Sequence, residues 1–205
     1  MVKLQLALDF LSVKEALKIA GKVWKYVDIL EAGTPLIKAE GIKVIGKLKR
    51  FGKPVLADLK TMDTGFLEAE MAFRAGADLT TVCGSAPLET IKGAIKAGRK
   101  YRKKVMVDLI GIKSRKRIEE ILKLEPDYLC FHLGIDEQTS GQELTRKLKS
   151  IKNLGVKNLA VAGGISPENV RSVMVLKPKI VVVGSAITRA EKPEEVAKRI
   201  KGMIC

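Results

Sequence analysis

Short apolar runs alternate with longer amphipathic stretches along the whole chain. The apolar runs are rich in Val, Ile and Leu, a composition that favours buried β-strands. The pattern therefore predicts eight strands. They cover residues 3–9, 26–33, 54–60, 78–84, 104–111, 127–134, 158–165 and 179–187.

The stretches between the runs show the spacing of amphipathic helices. In residues 12–24 the apolar side chains recur on one stripe, and Ser12 stands where an N-cap is expected. Ser166 followed by Pro167 predicts the start of a later helix, because proline is favoured at the first helical position. Beyond the first, helices are predicted over residues 64–76, 166–176 and 192–204.

Regular alternation of strands and helices implies parallel strands joined by crossover helices. Eight such units predict a (β/α)8 TIM barrel at the short end of that fold's size range. An open doubly wound sheet is the alternative, but eight units without a topological break are more than most open sheets use. No linker or low-complexity segment divides the chain, so we expect one α/β domain over residues 1–205.

The composition excludes several classes of protein. A hydrophobic fraction of 46% is too high for a disordered chain, and no apolar run approaches the roughly 20 residues of a membrane helix. The chain is expected to begin with a strand rather than a signal peptide. Cys83, Cys130 and Cys205 are too far apart to indicate a disulfide framework or a zinc site, so we expect a cytoplasmic protein. Many Lys and Glu residues with few Asn and Gln favour a heat-adapted protein.

The net charge of +15 has two interpretations. A basic nucleic-acid-binding barrel is one of them. The Lys and Arg residues are nevertheless spread through helix-like segments, and with 4% aromatic residues no stacking platform for bases is evident. A Lys-rich solvated surface is therefore the favoured interpretation, and we expect neither a nucleic acid nor a membrane as partner.

Polar residues gather where the predicted strands end. In a barrel the carboxyl ends of the strands carry the chemistry, whereas the opposite ends here carry Lys and Asp that we expect to be solvated. This asymmetry predicts an active site at the carboxyl ends. The polar residues there are Asp9, Glu31, Asp58, Lys60, Asp108 and His132, followed by Gly163-Gly164 and Gly184-Ser185.

Asp58 and Lys60 are two residues apart on one strand, so alternation places both on the face of Leu56. In a closed barrel this face points into the mouth. Asp63 follows in the turn before the next helix, where it can also serve as an N-cap beside a buried ion pair. Two carboxylates and a Lys are costly to desolvate without a purpose, which favours a functional role.

Glu31 lies near the end of the neighbouring strand, and with Asp58 it can hold a hard cation. Mg²⁺ commonly takes one or two carboxylates and leaves positions for substrate oxygens. A single His and the absence of Cys/His pairs argue against a transition-metal site. An ion pair with a nearby Lys is the alternative for Glu31.

Two further features at the strand ends have both a functional and a structural interpretation. His132 is the single histidine, and at the active rim it is a candidate general acid or base, the alternative being a structural polar residue. Gly163, Gly164, Gly184 and Ser185 follow the last two strands, where backbone amides of this fold often bind phosphate. Glycine also serves tight turns.

The block around the third strand resembles the orotidine monophosphate decarboxylase suprafamily, whose D-x-K-x-x-D pattern is matched by Asp58, Lys60 and Asp63. Within this suprafamily the closer likeness is to the 3-hexulose-6-phosphate synthases, and it covers nearly the whole chain. The supporting segments are LQLALD, EAGTPLIKAEG, ADLKTMDTGFLEAEMAFRAGAD, VDLIGIK and HLGIDEQ.

The resemblance implies a reversible aldol addition of formaldehyde to D-ribulose 5-phosphate through an enediolate. It implies that Glu31 and Asp58 bind Mg²⁺, that Lys60 stabilises the developing negative charge, and that His132 transfers protons. Asp63 is expected to reach the active site of a neighbouring subunit, which implies a homodimer with shared sites. Contacts to the sugar phosphate are expected from Asp9, Thr34, Gly163, Gly164, Gly184 and Ser185.

The sister activity is the decarboxylation of 3-keto-L-gulonate 6-phosphate. Those decarboxylases resemble this chain at the carboxylates, the Lys and the His, but they carry Arg where this chain has Ile135 and Ser185. The first difference favours the synthase, and the second leaves the residue that binds the phosphate charge unidentified. Orotidine decarboxylation is less expected, because the long phosphate-binding loop near the seventh strand is missing.

Overall fold

Eight parallel strands close into a barrel in chain order, and the last strand pairs with the first. The structure is a computed structural model and describes residues 1–134 and 156–205. The predicted TIM barrel is confirmed, and the open doubly wound sheet is excluded because a closed barrel has no free edge. The strands are Lys3–Leu8 (β1), Ile29–Ala32 (β2), Val55–Thr61 (β3), Leu79–Cys83 (β4), Lys104–Asp108 (β5), Tyr128–His132 (β6), Leu159–Ala162 (β7) and Ile180–Val183 (β8).

The described helices follow the strands and cover the barrel. Ser12 caps the first helix as predicted, because its hydroxyl accepts the backbone N–H of Lys14. None of the described helices is long and apolar enough to span a membrane. The helices are Val13–Val23 (α1), Thr34–Glu40 (α2), Val44–Lys49 (α3), Gly65–Arg74 (α4), Leu88–Tyr101 (α5), Arg115–Leu122 (α6), Val170–Met174 (α7), Ser185–Thr188 (α8) and Pro193–Ile204 (α9).

The helix predicted over residues 166–176 is shorter than expected. It begins at Val170, so Pro167 lies in the preceding turn rather than at the first helical position. The side chain of Asn169 holds that turn, since its Oδ1 accepts the N–H of Ser166 at 2.9 Å and its amide donates to the carbonyl of Gly164 at 2.7 Å. These local bonds compete with the helix and delay its start.

Alternate residues of the strands face two separate apolar layers. In β1, Leu4, Leu6 and Leu8 pack outward against the helices, whereas Gln5 and Ala7 point into the barrel. The inner layer consists of Ala7, Ile29, Leu56, Leu79, Met106, Cys130, Ala160, Ala162, Ile180 and Val182. Polar side chains that face inward above this layer therefore meet at the carboxyl ends of the strands.

Three aspartates at the amino-terminal ends of strands are bound into the fold, which corrects the expectation that they are solvated. Asp28, Asp78 and Asp127 directly precede β2, β4 and β6, and we call them the lower rim. Each uses its carboxylate to fix the start of the strand that precedes it in the barrel. The donors are the backbone N–H groups of Leu4 at 2.7 Å, Val55 at 3.0 Å and Val105 at 2.9 Å.

Candidate active site

A cavity of about 500 Å³ opens at the carboxyl ends of the strands. Leu56, Met106 and Cys130 of the inner layer form its floor. Every predicted site residue except Asp63 lines this cavity. Those residues are Asp9, Glu31, Thr34, Asp58, Lys60, His132, Gly163, Gly164, Gly184 and Ser185.

Asp58 is buried in the cavity wall and held by hydroxyl groups. Its side chain shares the inward face with Leu56, as the alternation predicted. Thr81 Oγ1 donates to Asp58 Oδ1 at 2.7 Å, and Thr34 Oγ1 lies 2.9 Å from Asp58 Oδ2. With Lys60 Nζ also bound to Oδ2, the orientation of this carboxylate is fixed before any substrate binds.

A backbone irregularity positions Lys60. The register between β3 and β4 shifts between Ala57 and Thr61, and Lys60 adopts a positive φ of 46°. Its N–H no longer follows the strand ladder and instead donates to Thr81 Oγ1 at 2.9 Å. A bulge of this kind redirects a side chain at a barrel rim, so strain in the backbone supports the placement of Lys60 Nζ.

The ammonium group of Lys60 lies between two buried carboxylates. Its Nζ forms an ion pair with Asp58 and lies 3.7 Å from Asp108 Oδ2. Burial alone would lower the pKa of Lys60, but the charges of Asp58, Asp108 and Glu31 raise it above its ordinary value. Lys60 is therefore a permanent positive charge at neutral pH rather than a base.

Glu31 is buried with too little positive charge around it. Its Oε2 accepts the amide N–H of Gln5 at 2.6 Å. Burial and the charges of Asp58 and Asp9 hold the pKa of Glu31 well above its ordinary range. The Gln5 Oε1 atom is also buried and meets no hydrogen-bond donor among the described residues. This part of the cavity is therefore rich in oxygen acceptors.

The donor set suits a hard cation. Among the described residues no group of three or more His, Cys, Asp or Glu side chains is placed to hold a metal ion. Mg²⁺, however, commonly uses one or two protein carboxylates, and Glu31 and Asp58 both line the cavity. A divalent cation there would offset the crowding of negative charge that raises the pKa of Glu31. The residues present fit Mg²⁺.

Asp108 and His132 form a second pair of functional groups. His132 Nδ1 lies 2.8 Å from Asp108 Oδ2, and Asp108 Oδ1 accepts the N–H of Ile110 at 2.9 Å. Burial alone would raise the pKa of Asp108, but the hydrogen bond and charge of His132, together with Lys60, lower it. The ionised Asp108 orients the imidazole and leaves its Nε2 as the ring nitrogen available to a substrate.

The opposite side of the cavity is lined by backbone rather than by carboxylates. Gly163 has a φ of +99°, and a Cβ on it would lie 2.0 Å from the carbonyl oxygen of Leu133. Glycine is therefore required at this position for β7 to end beside that carbonyl. Gly164, Gly184 and Ser185 complete this side of the cavity, so the predicted phosphate-binding residues lie together.

Asp9 lies at the mouth of the cavity, between the acidic side and the glycine side. Its Oδ1 lies 2.1 Å from where a Cβ on Gly33 would be, so the absence of a side chain there makes room for the carboxylate. Desolvation by the surrounding walls and the charge of Asp58 raise the pKa of Asp9. Its position suits contacts to the middle of an elongated substrate.

Asp63 lies outside the cavity of its own chain. It is exposed in the turn before α4, and its Oδ1 accepts the N–H of Thr64 at 2.7 Å. The D-x-K-x-x-D pattern therefore separates in space, since Asp58 and Lys60 share the cavity and Asp63 faces outward. Ile135, the other position singled out by the sequence, lies outside the described residues.

Comparisons with known proteins agree with this architecture. Residues 2–200 match the family model described as Orotidine 5'-phosphate decarboxylase / HUMPS family. The chain is 45% identical to 3-hexulose-6-phosphate synthase of Mycobacterium gastri, over 99% of this chain and 100% of that protein. A crystal structure of 3-hexulose-6-phosphate synthase, also 45% identical, superposes with a TM-score of 0.95 and covers all of both chains.

The sister enzyme is more distant. The crystal structure of 3-keto-L-gulonate-6-phosphate decarboxylase from Vibrio cholerae is 28% identical, with a TM-score of 0.86, and covers 99% of this chain and 97% of that one. The resemblance predicted from the third-strand block is confirmed by the match to the family model along nearly the whole sequence. On this evidence, the chain belongs to the orotidine 5'-phosphate decarboxylase / HUMPS family.

Proposed function

We propose that this chain catalyses the reversible aldol addition of formaldehyde to D-ribulose 5-phosphate, the reaction of a 3-hexulose-6-phosphate synthase. The observation that carries the proposal is the placement of Lys60 between Asp58 and Asp108, beside His132 in one cavity. The names of the relatives at 45% identity support the same activity. A ketose phosphate fits the division of the cavity into an acidic side and a glycine side.

The reaction begins by removing a proton from the carbon next to the ketone. His132 is the proposed base, because Asp108 holds its Nδ1 and leaves Nε2 for the substrate. The resulting enediolate then attacks the carbon of formaldehyde, and the oxygen of formaldehyde takes up a proton as the carbon–carbon bond forms. The protonated His132 can return that proton, so the net reaction is an addition without a leaving group.

Lys60 stabilises the negative charge that develops on the ketose oxygen. Its raised pKa keeps it charged, and its bulged backbone fixes the direction of its Nζ. A preorganised charge of this kind acts without rearranging during the reaction. Glu31 and Asp58 are the proposed ligands of Mg²⁺, which when bound supplies Lewis-acid polarisation of the ketose oxygens. Asp9 and Thr34 are proposed to bind the hydroxyl groups of the sugar.

The proposal includes a homodimer whose active sites are shared. Asp63 is exposed outside its own cavity, and large apolar side chains are exposed beside it in the chain and in α4: Met62 at 50%, Leu67 at 54% and Met71 at 48%. Exposed apolar patches of this kind mark interfaces. We propose that a second copy of the chain covers this patch and receives Asp63 in its active site.

Mixing two inactive variants tests the shared site. Lys60→Ala and Asp63→Ala are expected to be inactive as separate homodimers. After subunit exchange at equal concentrations, half of the dimers are mixed and each has one intact site, so about a quarter of wild-type activity should return. Failure to recover activity in mixed dimers, verified by native mass spectrometry, would contradict a shared site.

The reaction itself is tested by following formaldehyde. Purified protein is incubated with D-ribulose 5-phosphate and formaldehyde, first with Mg²⁺ and then with EDTA. We expect formaldehyde to be consumed with Mg²⁺ and to persist with EDTA or in Lys60→Ala. Release of CO2 from 3-keto-L-gulonate 6-phosphate, without consumption of formaldehyde, would instead assign the sister decarboxylase activity.

A further inference from the structure

Arg189 lines the cavity, and its guanidinium has no partner among the described residues. Among the described residues, Lys60 and Arg189 are the lysine and the arginine that line it. Lys60 is occupied by Asp58 and Asp108. Arg189 donates its backbone N–H to Ser185, but its guanidinium forms no hydrogen bond or ion pair with any described residue.

The distribution of charge indicates what this guanidinium binds. Glu31, Asp58 and Asp108 lie on the side of Lys60, where a phosphate dianion would be repelled. Arg189 follows Gly184 and Ser185 at the end of α8, on the side of the cavity that backbone glycines line. An unpaired guanidinium beside exposed backbone amides suits a phosphate monoester, which it can bind through two parallel N–H groups.

We propose that Arg189 is the residue that binds the phosphate group of the substrate. The inference rests on the proposed function in that it assigns the phosphate end of the same ketose phosphate. Arg189 stands directly after α8, and it lines the cavity together with Gly184 and Ser185.

The orientation of the substrate follows from this assignment. With its phosphate at Arg189 and its ketone at Lys60, the sugar passes Asp9, whose Oδ2 lies 3.8 Å from where a Cβ on Gly184 would be. The hydroxyl groups between ketone and phosphate then lie within reach of that carboxylate. Arg189 is a binding residue in this arrangement, and it takes no part in proton transfer.

The proposal is tested by replacing Arg189 and, separately, by removing the phosphate from the substrate. Arg189→Gln should raise the KM for D-ribulose 5-phosphate about 10- to 100-fold, because one or two charge-assisted hydrogen bonds to the phosphate are lost. Its kcat should stay within about threefold of the wild-type value. The same variant should handle D-ribulose, which lacks the phosphate, as poorly as the wild-type protein does. Arg189→Lys keeps the positive charge but lacks the two parallel N–H groups of the guanidinium, so its KM should be intermediate.

Controls separate this inference from the proposed activity. Arg171→Gln makes the same change of charge at an exposed arginine that does not line the cavity, and it should leave KM unchanged. Binding of inorganic phosphate, measured by calorimetry, should weaken in Arg189→Gln and persist in Arg171→Gln even if no aldol activity is found. Equal phosphate affinity in the wild type and Arg189→Gln, or an unchanged KM, would overturn the assignment.

Discussion

Carboxylates lie at both ends of the barrel, but they meet different partners there. In the lower rim, Asp78 accepts hydrogen bonds from Lys49 at 2.6 Å, from Lys103 at 2.7 Å and from the backbone N–H of Val55 at 3.0 Å. At the carboxyl ends, Lys60 is shared by two carboxylates, and Glu31 accepts a hydrogen bond from the side-chain amide of Gln5. Among the described residues, two lysines bind the single carboxylate of Asp78, whereas one lysine lies between the carboxylates of Asp58 and Asp108.

The pKa values of Asp78, Glu31 and Asp9 follow this difference. Burial alone would raise the pKa of Asp78, but the hydrogen bonds from Lys103 and Lys49 lower it. Burial and neighbouring carboxylates instead raise the pKa of Glu31 and of Asp9. Asp78 therefore uses its charge to stabilise the fold, whereas Glu31 and Asp9 in the active site hold negative charge that a bound ligand can offset.

The largest contrast is expected between two lysines that each contact an aspartate. Lys60→Ala should lower kcat/KM by about 1000-fold, because it removes the charge that we propose stabilises the enediolate. Lys103→Ala should leave kcat/KM within about twofold and lower the free energy of unfolding by about 0.5 kcal/mol, a typical value for a partly exposed ion pair. Steady-state kinetics and urea unfolding of both variants measure the contrast.

A comparable loss of activity in Lys103→Ala would show that the two ends are not functionally separate. Circular dichroism of Lys60→Ala is the control, since a native spectrum is needed to assign its loss of activity to chemistry.

Two aspartates provide the next contrast. Asp108→Asn should lower kcat about 100-fold, because the carboxylate that orients His132 is replaced by an uncharged amide. Asp127→Asn removes the same charge in the lower rim, where the amide oxygen can still accept the N–H of Val105. We expect its kcat to be unchanged and its melting temperature to fall slightly. The reverse pattern would contradict the roles assigned to the two carboxylates.

The positions of the residues at the carboxyl ends of the strands were easier to predict from the sequence than the contacts of the lower rim. Period-two alternation placed Asp58 on the inward face of Leu56, because strand geometry is local, whereas Lys60 reaches the cavity through a bulge that alternation does not predict. Asp108 was visible at the end of its strand, but its contacts with Lys60 and His132 depend on how neighbouring strands pair.

Other functional residues were missed for the same reason. Arg189 gave no signal, since it reaches the cavity from the end of a short helix. Gln5 and Thr81 looked like isolated polar residues in apolar runs, and their partners lie on other strands. The contacts of the lower-rim aspartates could not be foreseen, because their backbone donors are about 23 residues away in sequence. These aspartates were therefore expected to be solvated.

The pH dependence of stability should have opposite signs at the two ends. Asp78 has a lowered pKa in the folded protein, so its stabilising contribution is present above the pKa of the unfolded chain and is lost as the pH falls through the folded-state value. Glu31 has a raised pKa, so its ionisation destabilises the folded state as the pH rises above the ordinary pKa of glutamate.

Amide variants measure these two contributions. In EDTA at neutral pH, Glu31→Gln should raise the free energy of unfolding by about 1 kcal/mol, and Asp78→Asn should lower it by about 0.5 to 1 kcal/mol after allowance for solvent screening. Both differences should shrink as the pH is lowered towards 3. Chemical denaturation at several pH values tests the signs, and a destabilising Glu31→Gln at neutral pH would refute the description of Glu31.

The smallest effect is expected at Asp28, where Lys201 of α9 binds the carboxylate at 2.5 Å. This ion pair joins the last helix to the start of β2, but both side chains are partly exposed, so salt should screen it. Lys201→Met should lower the free energy of unfolding by about 0.5 kcal/mol in 0.1 M salt and by less in 1 M salt. The hydrogen bond from the N–H of Leu4 to Asp28 persists in this variant, so the strand start remains fixed. An effect that does not diminish with salt would mean that Lys201 acts through the packing of its aliphatic stem, and Asp28 would then stabilise the fold less through charge than Asp78 does.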